Sequence, residues 1–317
     1  MKKILMAVMA LIMTVGTLSA QKHLYVWKTD GTYISVPVNE VDSIGFYMPE
    51  SIGGSGATDG IGAFSVSETQ QVTFSKGNMQ YQAITNSWRF AEHQWDYIGE
   101  TNKNISDTYS GWIDLFGWGT GNAPTMTNPN ATVYGTFIDW GMNPISNGGN
   151  KAGLWRTLSK DEWAYLFHGR ENYDKLFGMG SVEGVNGVIL LPDNWEDVKP
   201  SGVSFRSGVE EGFIWSTSYY TCSGSGCDHF SDNTYIAKQW EAMELAGAVF
   251  LPAAGGRSVL FGTKVNNAGS EGCYWSSTQY GSEDAYTLGF NTYQLYTQWG
   301  GMLYNGLSVR LVQVLQN

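Results

Sequence analysis

The chain has 317 residues, and its 18 Lys and Arg against 29 Asp and Glu give a formal net charge of −11. No basic cluster interrupts this acidic character, which disfavours binding to nucleic acid or anionic lipid, because both require a cationic face. The 40 Gly, 13 Trp and 18 Tyr, with only 15% charged residues, predict short strands and ordered loops pinned by aromatic packing rather than a helical bundle.

Residues 1–20 have the features of a secretory signal peptide. Lys2 and Lys3 precede an apolar run over residues 4–15, and small residues at 17–20 supply a cleavage site. The run is shorter than the roughly 20 residues of a membrane span, so we expect an exported protein with no membrane span in the mature chain; a retained anchor is the alternative. Cleavage removes two of the 18 basic residues and brings the formal charge to −13. The expected location is the periplasm, the cell surface or the medium.

Residues 21–48 predict a small β unit. Segments 24–27 and 33–38 have strand character on either side of an Asp-Gly turn signal at Asp30, and 43–47 is a candidate third strand. So short a unit cannot bury a core alone, and we expect it to dock on another element or to act as a stalk. Residues 49–60 are rich in Gly and Ser and predict a flexible linker.

Residues 61–317 predict a single domain. Ser159 and Glu162 form the Ser-x-x-Glu signature of a capped helix, which apolar residues then follow at helical spacing. A second helix is predicted over 234–245, ending at Gly247. Strands and one ordered aromatic loop are predicted at 64–67, 71–75, 88–91 and 114–120.

Two parts of this domain repeat one order of features. An apolar strand stopped by Pro192 or Pro252 is followed by a Gly-rich loop and then by an aromatic strand containing Trp-Ser, at 213–220 or 273–280. We interpret this as a local structural duplication; a shared strand composition is the alternative.

The chain has three cysteines. In an exported protein, Cys222 and Cys227 are placed to form a disulfide across a flexible Ser/Gly loop. Cys273 is then expected to be unpaired and buried as a small hydrophobe. A zinc site of Cys222, Cys227 and His229 is one ligand short of the usual four.

Motifs that carry catalysis are scarce. There is no His-x-x-x-His pair and no Gly-x-Ser-x-Gly elbow, and the Gly-rich segment 253–257 lacks the Lys and Ser/Thr of a phosphate-binding loop. Asp161 and Glu162 are adjacent in the chain, which suits helix capping better than paired acid–base chemistry. We therefore predict a non-enzymatic protein with no cofactor and no metal site.

The strongest functional signal lies between the strand motifs at 272–278 and 306–312. Strand alternation places Leu288 and Phe290 inward, and Leu295 returns inward on the next strand. The outward residues are mostly Tyr, Trp, Asn and Gln, which give large contact area and adaptable hydrogen bonds, as in antibody paratopes. We expect them to form one contiguous exposed surface; aromatics that only fill the loops of a Gly-rich fold are the alternative. The predicted ligand-binding residues are Tyr280, Asp284, Thr287, Asn291, Tyr293, Tyr296, Gln298, Trp299, Tyr304 and Asn305.

Two of these motifs resemble a known group of proteins. LWRTLSKDEW at 154–163 resembles a helix start of the formylglycine-generating-enzyme group, and GLSVRLV at 306–312 is similar to the group's closing strand. The resemblance covers about residues 61–317. It implies an α+β, C-type-lectin-like fold that is irregular, rich in Gly and Trp, and poor in helices. The oxidases of the group use a pair of cysteines near the end of the domain, where this chain has only Cys273.

A closer resemblance is to exported proteins of Bacteroides-type bacteria, in the phrases at 74–81, 88–91, 247–255 and 274–278. Some of these are variable proteins of diversity-generating retroelements, whose lectin-like domain has a C-terminal segment reprogrammed to bind different ligands. Adenine-directed changes of Asn codons do not reach residues such as Gln294, Gln298, Trp299 and Met302, so these positions are fixed or the chain is a non-diversified relative.

The resemblance implies a receptor or adhesin for a protein or glycan on another cell, a phage or a host surface. A structural or fimbria-associated surface component, and an oxidase of the formylglycine-generating type, are the alternatives.

Overall fold

The computed structural model describes residues 23–27, 32–38, 62–208, 210, 213–216, 219–222, 228–260 and 263–315. The chain divides into two units, Met1–Ile52 and Gly53–Asn317. The predicted signal peptide (1–20), the candidate strand at 43–47 and the predicted linker (49–60) lie outside the described residues.

The first unit contains an antiparallel hairpin of β1 (His23–Trp27) and β2 (Tyr33–Pro37). The rings of Tyr25 and Tyr33 meet edge to face with their centroids 5.5 Å apart, which is a favourable cross-strand aromatic contact. The two strands therefore lie where the sequence predicts them.

The second unit is built from short strands, as its composition predicts. Those predicted at 64–67, 71–75 and 88–91 are present, and the first two pair with each other. In chain order the strands are β3 (Phe64–Ser65), β4 (Gln71–Phe74), β5 (Met79–Gln82), β6 (Ser87–Phe90), β7 (Trp112–Ile113), β8 (Arg156–Thr157), β9 (Phe177–Val182), β10 (Val185–Leu190), β11 (Ile214–Ser216), β12 (Tyr219–Thr221), β13 (Thr234–Tyr235), β14 (Val249–Pro252), β15 (Gly256–Ser258), β16 (Lys264–Asn266), β17 (Glu271–Tyr280), β18 (Asp284–Asn291), β19 (Gln294–Met302) and β20 (Leu311–Val314).

The predicted capping box begins the first α-helix. Ser159 Oγ accepts a hydrogen bond from the backbone N–H of Glu162, and the Glu162 carboxylate accepts one from the backbone N–H of Ser159. The α-helices of the described residues are α1 (Lys160–His168), α2 (Trp195–Val198) and α3 (Ala237–Leu245). Single 3-10 turns lie at Gly99–Asn104, Ala131–Tyr134, Trp140–Met142, Tyr173–Lys175 and His229–Ser231.

The start predicted for the second helix, Thr234, is wrong. Thr234 and Tyr235 pair with β9 as a short parallel strand, so their backbone is extended and α3 begins only at Ala237. The predicted end is confirmed, because Gly247 follows the helix with a φ of 90°, a left-handed conformation that glycine adopts without strain.

The second unit is mostly sheet with few helices in its described part, which confirms the coarse α+β prediction. The two apolar strands that end near Pro192 and Pro252 are β10 and β14, and they are paired neighbours. The strand orders are β13-β9-β10-β14, β11-β12-β19-β18-β17, β3-β4-β20-β8, β6-β5-β7 and the pair β15-β16.

The five-stranded sheet lies between two hydrophobic cores. Tyr274 joins the core that contains Leu288, whereas its neighbour Trp275 joins the core that contains Phe116, because successive strand residues point to opposite faces. The Tyr274 hydroxyl donates to the carbonyl of Pro252 at 2.9 Å, and the Trp275 indole donates to that of Phe116 at 2.7 Å. Both faces of this part of the sheet are thereby fixed.

Candidate functional site

A bulge between β18 and β19 brings two aromatic side chains onto one face of the five-stranded sheet. Gly289 lies opposite Tyr296 and Thr287 lies opposite Trp299, so two residues of β19 oppose one of β18 between these pairs. Since directly opposed residues share a face, Tyr296 and Trp299 lie on the same side although they are three positions apart. Regular alternation would have placed them on opposite sides.

Three aromatic rings follow one another on this face. Tyr219 lies opposite Tyr296 with ring centroids 5.2 Å apart, and the rings of Tyr296 and Trp299 are 5.1 Å apart. The indole of Trp299 occupies the space above Gly289, where any Cβ would clash with its Cε3 atom. Trp299 is still 37% exposed. We call Tyr219, Tyr296 and Trp299 the aromatic row.

Trp299 also lines a cavity of about 450 Å³, a size typical of small-molecule binding sites. The floor of the cavity is formed by β17, β18 and β19, and one wall is formed by residues 256–258, 260, 266 and 267, which include β15 and the end of β16. Its apolar lining residues are Leu260, Cys273, Trp299, Met302 and Leu307. Its neutral polar lining residues are Ser258, Asn266, Asn267, Thr287 and Asn305.

Some of these polar side chains are engaged and others are free. Glu271 also lines the cavity, and its carboxylate accepts hydrogen bonds from Asn267 Nδ2 at 2.8 Å and from the Cys273 thiol at 3.4 Å. By contrast, no described residue forms a hydrogen bond with the side chains of Ser258, Asn266 and Asn305. One hydroxyl and two carboxamides are thus available to a ligand.

The ionisable groups at the cavity are poorly suited to catalysis. Burial, together with the nearby charge of Glu271, raises the pKa of the Cys273 thiol well above its ordinary value, and a protonated thiol is a poor nucleophile. Arg257 is only 1% exposed, and its guanidinium packs against Gly306. Burial lowers the pKa of Arg257 to about 10, although nearby Tyr134 opposes this shift, so the guanidinium remains charged at neutral pH.

Three of the predicted ligand-binding residues, Thr287, Trp299 and Asn305, line the cavity, and Tyr296 lies beside it in the aromatic row. The inward positions predicted for Leu288, Phe290 and Leu295 are confirmed, since all three are fully buried. The exposure expected for Thr287 is wrong: it is 2% exposed, because the bulge places Trp299 directly opposite it.

Tyr280 and Asp284 lie opposite each other where β17 meets β18, and neither lines the cavity. Tyr280 packs on Tyr286 with ring centroids 4.9 Å apart, and Lys160 of α1 lies 5.1 Å from the Tyr286 ring. Tyr286 is the strand neighbour of Thr287 and therefore points to the other face of the sheet. The expectation of one contiguous exposed surface is wrong for this pair.

The remaining predicted residues have mixed roles. The Asn291 side chain builds the β18–β19 turn by accepting hydrogen bonds from the backbone N–H groups of residues 293 and 294, and Tyr293 is exposed at the tip of that turn. Gln298 is half-buried within the bulge. Tyr304 packs against the core, with its hydroxyl 2.6 Å from the sulfur of Met302.

Sequence reasoning missed Tyr219 and the wall residues 256–258, 260, 266 and 267. Tyr219 belongs to the first copy of the aromatic strand motif, and its position opposite Tyr296 depends on a long-range pairing that the sequence does not display. The wall residues combine Gly with free neutral polar groups shortly before β17, and this composition could have been recognised as a second recognition segment.

Several sites weighed from the sequence have structural explanations. Cys222 is disulfide-bonded and Cys273 is a free thiol, while Cys227 lies outside the described residues. His229 bonds Asp232 at 2.7 Å, and a disulfide sulfur at Cys222 does not suit the zinc site that was considered. Across the described ranges, no group of three or more His, Cys, Asp or Glu residues is placed to hold a metal ion.

The Asp193 carboxylate is engaged by neighbouring side chains of the fold. Its carboxylate accepts hydrogen bonds from Arg170 at 3.1 Å and from the Ser65 hydroxyl at 2.7 Å. Arg170 is fully buried on its side-chain atoms, so removal of Asp193 would leave a buried charge without its anion.

Comparisons of the chain with protein-family models, curated proteins and solved structures give no match. Within the described ranges, no helix combines the length and apolar character needed to cross a membrane.

Proposed function

We propose that this is an exported, non-catalytic binding protein whose ligand enters the cavity beside β17, β18 and β19. The observation that carries the proposal is the position of Trp299. Its indole lies over Gly289, lines the cavity and keeps more than a third of its surface exposed. Large aromatic side chains that are held rigidly and remain accessible are the usual anchors of binding sites.

The chemistry of the cavity supports binding over catalysis. The Cys273 thiol has a raised pKa, the Glu271 carboxylate is engaged by two neighbours, and Arg257 is buried. An oxidase of the resembled group would need a second cysteine beside Cys273. Cys222, however, is committed to a disulfide.

The C-type-lectin-like fold and the relationship to retroelement variable proteins belong to the same proposal. The fold assignment is supported by α1 with its capping box and by the closing strand β20, which pairs with β4 and β8. The capped helix and closing strand occur in the order found in the resembled group. The ligand class in this proposal is a protein or glycan displayed on another cell, a phage or a host surface.

The proposal is tested by screening the purified mature chain against arrays of glycans, peptides and cell-surface proteins. Trp299→Ala should weaken the binding of every ligand that the wild type binds by at least about 2 kcal/mol, or ~30-fold in Kd. The matched control is Tyr280→Ala, which removes another exposed aromatic that packs on a tyrosine but lies outside the cavity. Ligands that bind Trp299→Ala as tightly as the wild type, or an array without any ligand, would refute the proposal.

A further inference from the structure

We infer that the site takes a linear, uncharged oligosaccharide, with one sugar in the cavity against Trp299 and the following sugars along Tyr296 and Tyr219. This inference rests on the proposed function, to which it adds the ligand class and the direction of the chain.

The charge distribution favours an uncharged ligand. Among the described residues that line the cavity, the one carboxylate, Glu271, already accepts hydrogen bonds from Asn267 and Cys273, and the one cation, Arg257, is 1% exposed. An anionic ligand would also approach a protein with a formal net charge of −11, which repels it at long range. Neither charge at the cavity is therefore offered to a ligand.

The free hydrogen-bonding groups match hydroxyl groups. Ser258, Asn266 and Asn305 each supply a neutral side chain that both donates and accepts. Sugar hydroxyls also donate and accept, and a carboxamide can engage two neighbouring hydroxyls at once. The apolar face of a sugar ring stacks on an exposed indole, and Trp299 supplies that surface beside the three polar groups.

Part of the same floor is closed to an added peptide strand. An extended peptide binds a sheet by pairing with the backbone of an edge strand. β18 is paired on both sides, and β19 is paired on both sides over Gln294–Tyr296, where it lies between β12 and β18. Recognition over these stretches therefore uses side chains, as sugar binding does.

The aromatic row sets the length of the ligand. Its rings are separated by 5.1 and 5.2 Å, and the spacing between Tyr296 and Tyr219 reflects the ~4.8 Å distance between paired strands. This spacing is close to the length of one sugar in an extended chain. Tyr296 and Tyr219 are half-buried, and their hydroxyls have no hydrogen-bond partner in the described part of the chain. The two tyrosine rings stack on each other, so they offer ring edges and hydroxyl groups, rather than open ring faces, to a second and a third sugar.

The test measures Kd by calorimetry for neutral oligosaccharides of glucose, mannose, galactose, xylose and N-acetylglucosamine, from single sugars to hexamers. In at least one series the affinity should increase with length up to the trimer or tetramer and then become constant. Tyr219→Ala should lower the affinity of the longer oligomers to that of the shorter ones, and leave the shorter ones unchanged. Trp299→Ala should weaken the binding of oligomers of every length by at least ~30-fold. Tyr280→Ala should leave the affinity of every length unchanged.

Tyr219→Phe is the conservative control, because it keeps the ring contact with Tyr296. Thermal melting of each variant shows whether the fold is retained. The length dependence of the wild type needs no variant. Affinity that does not depend on length, equal losses for all lengths in Tyr219→Ala, or no binding anywhere in the panel would overturn the inference. A peptide or protein that binds through Trp299 would overturn it and leave the proposed function standing, whereas ligands indifferent to Trp299→Ala would remove both.

Discussion

Asp114 gives the sharpest test of the interior electrostatics. Its carboxyl group is completely buried and accepts hydrogen bonds from the backbone N–H of Ile98 at 2.8 Å and from Asn102 Nδ2 at 2.7 Å. Burial raises the pKa of Asp114 to about 6, and these hydrogen bonds oppose the shift without cancelling it. Asp114→Asn replaces the group with one that cannot ionise.

The direction of the effect follows from the two protonation states. Because the pKa of Asp114 in the folded protein lies above the unfolded value of about 3.9, the folded state binds this proton more tightly than the unfolded chain. The stabilisation is fully present below about pH 4 and is lost as the pH rises through about 6. A shift of about two units corresponds to about 3 kcal/mol, since one unit is worth about 1.4 kcal/mol.

Urea unfolding of wild type and Asp114→Asn between about pH 4 and pH 7 measures this difference. The free energy of unfolding of the wild type relative to the variant should fall by about 2.4 kcal/mol over that range, because the carboxyl of the unfolded chain is already about half ionised at pH 4. Hydrogen bonds that the Asn side chain fails to make change the free energy of unfolding of the variant by an amount that does not depend on pH. Asp161→Asn, which removes an 82% exposed carboxylate, is the control for charge deletion alone. If the difference in free energy of unfolding between wild type and variant stays constant or increases with pH, the hydrogen bonds to Asp114 outweigh the effect of burial on its pKa.

Three further predictions concern the site and its frame. Gly289→Ala should displace the Trp299 indole and reduce ligand affinity as much as Trp299→Ala does. The control is Gly135→Ala, since a Cβ at Gly135 meets nothing closer than 3.6 Å. Unchanged ligand affinity in Gly289→Ala would contradict the packing of Trp299 over Gly289. Ser159→Ala should cost about 1 kcal/mol of stability in urea unfolding, and a change near zero would mean that the cap is dispensable. Cys273 should react with iodoacetamide far more slowly in the folded protein than in urea at neutral pH, because burial raises the pKa of its thiol; equal rates would contradict this.

Local signals in the sequence predicted local structure well. The capping box at Ser159 and Glu162 began a helix as expected, and Leu288, Phe290 and Leu295 are buried, because these features depend on neighbours in the chain. Features that depend on long-range pairing were missed. Thr234 and Tyr235 stood at the start of a predicted helix, but they pair with β9 as a strand, in keeping with the strand preference of Thr and Tyr.

The site was predicted only in part for the same reason. The residues of β18 and β19 were recognised by composition, but a strict alternation of two cannot anticipate the bulge that places Trp299 and Tyr296 on one face. The composition of the residues near 256–258 and 266–267 could have marked them as a recognition segment, but their place beside β17, β18 and β19 in the cavity wall depends on long-range contacts.

The strand pairing of this sheet and several of its side chains are independent of each other. β18 is paired on both sides, β19 is paired on both sides over Gln294–Tyr296, and the consecutive residues Tyr274 and Trp275 anchor the adjacent strand in two different cores. A change at Asn305 or Tyr293 therefore alters a side chain that takes no part in the strand pairing. Asn291 is different, since its side chain holds the turn between the two strands. Positions of the first kind can vary while the fold is kept, whereas Asn291 must stay constant for the turn to persist.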